Sequence, residues 1–312
     1  MPSNQTPLGA LPARFRRARV LIVGCGDVGM RVVRELPDSV RVLALTSSPG
    51  RNAALRAQGV TPVVGDLDDP GTLRRLAGLA GRVIHLAPPP SGQETASHTD
   101  PRTVALLRAL RLRAAPRVIV YGSTTGVYGD CGSQWVDESR RTAPGTDRAR
   151  RRVHAEQQVR AFGRLSGTRT TILRIPGIYA PDRPAGTPRE RLLRGTPALR
   201  QPDDVYTNHI HADDLARALI AACWRGRAQR VVHASDDSDL RMGDYFDFAA
   251  DLYGLPRPPR ISRDEARERL SPMLLSFMSE SRRLLNRRLK EELRVRLRHP
   301  TVATGLAGSD QG

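Results

Sequence analysis

The chain has 312 residues and a formal net charge of +18, long enough to bury one large core or a core with a smaller appended lobe. The charge is almost all arginine, spread along the chain with Lys290 as the single lysine; without aromatic interleaving or a recognition helix this argues against nucleic acid and toward small anionic ligands. Three scattered cysteines exclude a disulfide framework or a cysteine metal set, and the lack of a secretory core or a run of about 20 apolar residues points to a cytoplasmic protein with no membrane partner.

A polar, basic tail is expected over 1–16. After it, short β-branched runs alternate with segments of helical period, the pattern of successive βαβ units. Strands are expected at 20–23, 40–45, 61–64, 83–86, 118–121, 171–173 and 231–233. Several are nearly continuous apolar runs, as a parallel sheet covered by helices on both faces requires. This predicts an α/β fold, a Rossmann doubly wound parallel sheet over 17–180 with a strand returning at about 207–237. The Pro-, Gly- and Arg-rich stretch 181–206 and the polar, helical stretch 238–312 are expected to form a smaller, mainly helical substrate lobe. Within the latter, 282–298 reads as an amphipathic, mostly solvated helix and its exit.

Directly after the first strand comes GCGDVG, with Gly24, Gly26 and Gly29 in G-x-G-x-x-G spacing and a helical run behind them. Gly24 permits the tight turn, Gly26 lets a pyrophosphate approach the backbone, and Gly29 allows the helix to pack close on the strand. A dinucleotide is the ligand this context implies. The second strand ends Leu45, Thr46, Ser47, Ser48, with no acidic residue between Ser39 and Gly65 to accept from an adenosine 2′-hydroxyl. Thr46, Ser47 and Arg51 suit a 2′-phosphate instead, so NADP is expected as the preferred cofactor and NAD as the second choice. Asp66 follows the third strand, where it suits either the adenine amino group or a helix N-cap.

The order and spacing of GCGDVG, GDL at 65–67, STTGVYG at 123–129, LRIPGIYAP at 173–181 and NHIHADDLA at 208–216 resemble the extended short-chain dehydrogenase/reductases, the NAD-dependent epimerase/dehydratase group. The APPP at 87–90 and the closing 286–301 look more like its atypical bacterial branch. On this resemblance the dinucleotide would run along Gly24, Gly26, Asp27, Val28, Gly29, Thr46, Arg51, Asp66, Leu67 and Ala87 to Arg152, Pro176 and Gly177. Thr124, with Ser123 beside it and Tyr128 just beyond, would face the nicotinamide and the substrate hydroxyl; the alternative is a hydrogen-bonded strand end and helix entry. Arg148, Tyr179 and Asn208 would meet the substrate, while His211 is expected to be architectural and Asp213 or Asp214 to cap the next helix.

The family pattern carries Y-x-x-x-K on the helix after the fifth strand, with an acidic residue in a phrase like AEQ four residues later. Ala155, Glu156 and Gln157 supply that phrase, which puts Arg152 at the lysine position and Arg148 at the tyrosine position. No realignment restores the pair, because no tyrosine lies between Tyr128 and Tyr179. A guanidinium has no acceptor lone pair and stays protonated, so Arg148 is neither base nor facile acid. One helical turn apart, Arg148 and Arg152 share a face and suit a carboxylate or phosphate, unless they form a solvated basic face. Tyr128, His154 or a water assisted by Thr124 are the remaining proton sources, with His154 off that face and Glu156 on it, free to pair with Arg152.

The expected activity is that of an NAD(P)-dependent oxidoreductase or epimerase of atypical mechanism acting on a small anionic or sugar-nucleotide-like substrate, as monomer or homodimer. The competing expectation is a non-catalytic dinucleotide-binding redox sensor or scaffold. No metal site is read in the sequence.

Overall fold

The computed structural model describes residues 17–90 and 98–307; the tail 1–16 and the last five residues of the expected lobe lie outside the described residues. Its centre is a seven-stranded, wholly parallel sheet. The strands are β1 (Ala18–Val23), β2 (Val40–Thr46), β3 (Thr61–Val64), β4 (Arg82–His85), β5 (Val118–Thr124), β6 (Arg169–Ile175) and β7 (Arg230–His233). They lie in the order β3-β2-β1-β4-β5-β6-β7, so the direction of winding reverses between β1 and β4. Crevices for ligands open at such a switch point, outside the carboxyl ends of the strands. The fold is the Rossmann α/β architecture that the sequence predicts, and all seven expected strands are present.

Alternation along the strands explains the two cores. In β1 every residue from Val20 to Val23 is fully buried, and successive side chains enter opposite faces of the sheet. Val20 and Ile22 join Val42, Ala44, Ile84 and Val120 under helices α1 (Asp27–Glu35) and α4 (Ala212–Arg225). Leu21 and Val23 join Leu43, Ile119, Tyr121 and Ile172 under α2 (Pro101–Leu110) and α3 (Asp147–Ser166). Each buried leucine-sized side chain contributes about 1.5–3 kcal/mol relative to exposure.

The long helix α3 begins where Thr146 caps the Ala149 N–H and ends at Gly167, whose φ of 70° is the left-handed turn that glycine adopts without strain. A third core is built on Tyr179, Leu199, Val205, Phe246, Ile261 and Leu306, drawn mostly from the two stretches expected to form the lobe. Helix α5 (Met242–Leu252) packs there, joined by two-residue strand pairs, Ala198–Leu199 with Arg260–Ile261 and Tyr206–Thr207 with Leu240–Arg241.

The stretch 282–298 departs from expectation. Arg283–Leu284 pairs with Trp135–Val136, only Arg287–Glu291 is helical, and Leu289, Leu293 and Val295 are buried in the core beside α4. Arg225 donates to the Leu293 carbonyl at 3.0 Å. The apolar residues are few and sit among arginines, some exposed like Arg287 and some paired with carboxylates like Arg282 and Arg288, so the burial is masked in the sequence. This part of the expected lobe is a return of the chain onto the central sheet's own core.

Candidate functional site

At the switch point the strand ends enclose a cleft of about 560 Å³. Gly24 sits at φ +88°, and a Cβ there would lie 2.4 Å from the Ala87 backbone nitrogen, so the turn closes directly on the end of β4. Gly26 has open space where its Cβ would be, which leaves room for a phosphate group to approach. Gly29 packs against the Gly24 carbonyl and Ile22, bringing α1 down onto the strand. These three positions fit the backbone approach of a dinucleotide diphosphate.

The cleft runs from there in two directions. One end is lined by Thr46, Ser47, Ser48, Arg51, Asp66, Leu67 and Arg102. The Thr46 hydroxyl organises the turn by accepting from Ser48 N–H at 3.2 Å, and Arg51 donates to the Cys25 carbonyl at 2.9 Å. Asp66 accepts from the Asp68 N–H at 2.9 Å, a local turn, while Asp69 caps the following 3-10 helix. The other end is lined by Ser123, Thr124, Arg148, Arg152 and Pro176. Arg51, Arg102, Arg148, Arg152 and Arg183 all line this one cavity, against the two carboxylates of Asp27 and Asp66. Such a field attracts a polyanion.

The geometry divides the candidates for chemistry. Thr124 lines the cleft and caps the 3-10 helix Thr125–Tyr128 by accepting from Gly126 N–H. Ser123 donates to Glu156 at 2.7 Å, and Glu156 is gripped by Arg174 at 2.7 and 3.1 Å. Glu156 and Arg174 are both buried. The pairing of Glu156 with Arg152 does not form; Arg152 donates instead to the Gly122 carbonyl at 2.8 Å and the Tyr121 hydroxyl at 3.1 Å. Arg148 and Arg152 do share the cleft, and burial together with the Arg152 charge lowers the Arg148 pKa.

Tyr128 departs from expectation. It lies outside the cleft, fully buried, with its hydroxyl 2.5 Å from His233 Nε2, and burial pushes its pKa up to about 12. The 3-10 turn after Thr124 carries the ring past the cleft to Arg174 and His233, at the ends of β6 and β7. Tyr179 is likewise buried, donating to the Thr301 carbonyl at 3.1 Å and packed against His209 and His211. Asn208 donates to Arg282 O and accepts from Leu284 N, which ties a loop to the returning chain and keeps it out of the cleft. Gly177 donates to the Asn208 carbonyl, while its neighbours Pro176 and Ile178 line the cavity.

His154 accepts from the Asp100 N–H at 3.0 Å, an architectural contact. His211 accepts from Asp213 N–H at the start of α4. His211, Asp213 and His299 bring ligating atoms within 4.8 Å of one another, a grouping absent from the sequence reading. There the two imidazoles lie ring against ring, 3.8 Å between centroids, and Asp213 is paired with Arg31. Sequence reasoning also missed Arg102, Arg174 and Arg183. For Arg174 a signal existed, since it is the one charged residue inside the apolar run of β6.

The model of the family described as NAD dependent epimerase/dehydratase matches residues 20–234. The chain belongs to this family. A functionally unknown conserved protein from Silicibacter pomeroyi DSS is 32% identical, with a TM-score of 0.76 over 93% of this chain and 97% of that one. MoeE5, solved in complex with UDP-glucose and NAD, shares the fold at 22% identity and a TM-score of 0.73, over 93% of this chain and 96% of its own. The uncharacterized protein C2A9.02 of Schizosaccharomyces pombe is 25% identical over 301 residues, 93% of this chain and 98% of its own. As an epimerase/dehydratase family member the chain has an enzyme's architecture, and among the described residues no helix is long and apolar enough to cross a membrane.

Proposed function

We propose that the protein is an NADP-linked oxidoreductase or epimerase acting on a small anionic, sugar-nucleotide-like substrate, without a tyrosine as proton donor. The observation that carries this is the continuity of one arginine-lined cleft from the glycine loop to Ser123 and Thr124. A nicotinamide dinucleotide held there would supply the hydride acceptor or donor. Thr46, Ser47 and Arg51 at the ribose end favour a 2′-phosphate, since hydroxyls and a guanidinium hydrogen-bond to phosphate and the end of β2 itself carries no carboxylate to accept from a 2′-hydroxyl. MoeE5 binds NAD and a UDP-sugar on the same fold, which supports a dinucleotide and a second anionic ligand here.

The protein's own groups do three things. Arg148 holds an anionic substituent of the substrate, since it lines the nicotinamide end of the cleft and cannot act as a base. Arg152 fixes the end of β5 through Gly122 and Tyr121. Ser123 and Thr124 hold a substrate hydroxyl or carbonyl, Ser123 as an acceptor because its own proton is committed to Glu156.

One observation favours the sensor reading: among the described residues no phenol lines the cleft, and Tyr121, Tyr128 and Tyr179 are all buried elsewhere. Titration with NADPH and NADH, followed by nicotinamide fluorescence, tests the cofactor. Binding in the micromolar range that Gly26→Arg abolishes supports the site, and no binding of either refutes it. Turnover of NADPH with a carbonyl substrate then supports the enzyme, while tight binding with no turnover across anionic carbonyl compounds supports the sensor.

A further inference from the structure

Asp27 is the first residue of α1 and lines the cleft beside Gly26. A carboxylate at that point opposes the attraction of the helix N-terminus for an anion. Two guanidiniums answer it, Arg31 Nε at 3.2 Å and Arg183 Nε at 3.4 Å. They are not equivalent. Arg31 is buried, outside the cavity lining, and shared among three carboxylates, Asp27, Asp182 at 2.6 Å and Asp213 at 2.5 Å. It is saturated by charge. Arg183 lines the cavity, is 28% exposed, and uses Nε toward Asp27 and one Nη toward the Ile178 carbonyl at 3.1 Å. Three of the five donors of a guanidinium remain beyond those two contacts.

We infer that Arg183 binds the diphosphate of the dinucleotide at the glycine loop, reaching it from the segment that follows Gly177–Tyr179. Asp27 is its positioning residue, holding the side chain at the loop. Arg183 comes from the segment after Gly177–Tyr179, more than 150 residues from the loop, and the adjacent Asp182 is tied through Arg31 to both α1 and α4. Diphosphate recognition therefore draws on the substrate-side segment as well as on the Rossmann loop. A ligand that carries the diphosphate engages that segment, whereas one that carries only the base does not. This rests on the reading of the cleft as a dinucleotide site.

The test compares three probes on the full-length protein: NADPH by fluorescence, and ADP-ribose and adenosine by isothermal titration calorimetry. Arg183→Gln should weaken NADPH and ADP-ribose on the order of tenfold, as expected for a lost charge-assisted contact, with adenosine affinity and the melting temperature unchanged. Asp27→Asn, which keeps Arg183 but removes the carboxylate charge that orients it, should weaken ADP-ribose by less than Arg183→Gln does, with adenosine unchanged. Unchanged ADP-ribose affinity in Arg183→Gln overturns the inference, as does an equal loss for adenosine, which would mark a general distortion. Unchanged or tighter ADP-ribose binding by Asp27→Asn overturns the positioning role of Asp27. Failure of the parent protein to bind any dinucleotide removes the cofactor reading itself, and this inference with it.

Discussion

The Ser123 hydroxyl donates to Glu156 at 2.7 Å, and the same carboxylate is forked by Arg174 through both oxygens. The pair sets the polarity of the cleft's reactive end. With its proton committed inward, Ser123 offers lone pairs to a ligand, while Thr124, which accepts from the Gly126 N–H, keeps its own proton to donate. On the proposed function, a substrate alcohol would be received by Ser123 and a substrate carbonyl by Thr124.

This arrangement predicts very unequal costs for two neighbouring changes. Glu156→Gln leaves the buried Arg174 guanidinium uncompensated and should destabilise the protein by about 3–5 kcal/mol. Ser123→Ala removes one hydrogen bond from a carboxylate that Arg174 still satisfies, and should cost about 1 kcal/mol. Urea denaturation at constant m-value measures both. Equal, small losses would show that the ion pair does not hold the end of β5 in place.

The glycine loop separates a structural role from a ligand role. A Cβ at Gly24 would meet the Ala87 backbone at 2.4 Å with φ at +88°, so Gly24→Ala should lose more than about 1 kcal/mol of stability. At Gly26 a Cβ meets nothing within 4 Å, so Gly26→Ala should stay within about 0.5 kcal/mol of the parent. Thermal unfolding without ligand decides the matter, and a Gly26→Ala variant as unstable as Gly24→Ala would contradict the open space beside that residue.

The sheet and its loop were legible because parallel strands buried on both faces need nearly continuous apolar runs, and β1 reads as one. The glycines carry backbone demands that no other residue meets, as Gly24 shows. Directions of side chains at the reactive end were not legible. Tyr128 is four residues beyond Thr124, close enough in sequence to share its site, yet one 3-10 turn sends it to His233. Glu156 had two arginines within reach, and its partner Arg174 arrives from another strand, a choice made by tertiary packing. The burial of Leu289 and Leu293 escaped notice because flanking arginines suppress the apolar signal.

At the ribose end, Arg51 gives the cofactor preference a direct test. Its guanidinium donates to the Cys25 carbonyl and lines the cleft beside Thr46 and Ser47. Arg51→Ala should weaken NADPH on the order of tenfold while changing NADH less than about twofold, because only NADPH has a 2′-phosphate for the charge to meet. Fluorescence titrations with both cofactors supply the comparison. Equal losses for the two would place Arg51 away from the 2′ position and return the preference to NAD.

Buried histidines set the acid limit of the fold. Burial first of all lowers the pKa of His85 and His233 to about 3 and of His209 and His211 to about 4, from an ordinary 6.5. Below pH 6.5 the unfolded chain takes up protons that these four folded imidazoles refuse, so their contribution to stability is full above that pH and falls as the pH drops toward 4. Each excluded proton changes stability by about 1.4 kcal/mol per pH unit. Asp236 has the opposite sign. Its burial raises the pKa from 3.8 to about 7, so the folded state holds a proton the unfolded chain has released, and this group's contribution declines as pH rises between those values. Burial also raises the pKa of Glu138 and Asp204, while Asp68, Asp182 and Glu292, held low by arginine partners, add to the loss; with the four imidazoles the net effect is a loss on acidification. Urea midpoints should therefore fall steeply from about pH 6.5 to about pH 5. Asp236→Asn should steepen that fall and should raise stability above pH 7, where the parent carries a buried charge. A parent protein as stable near pH 5 as near pH 7.5 would mean that these imidazoles accept protons in the folded state, contrary to their burial among Tyr121, Tyr128, Tyr179 and Tyr245.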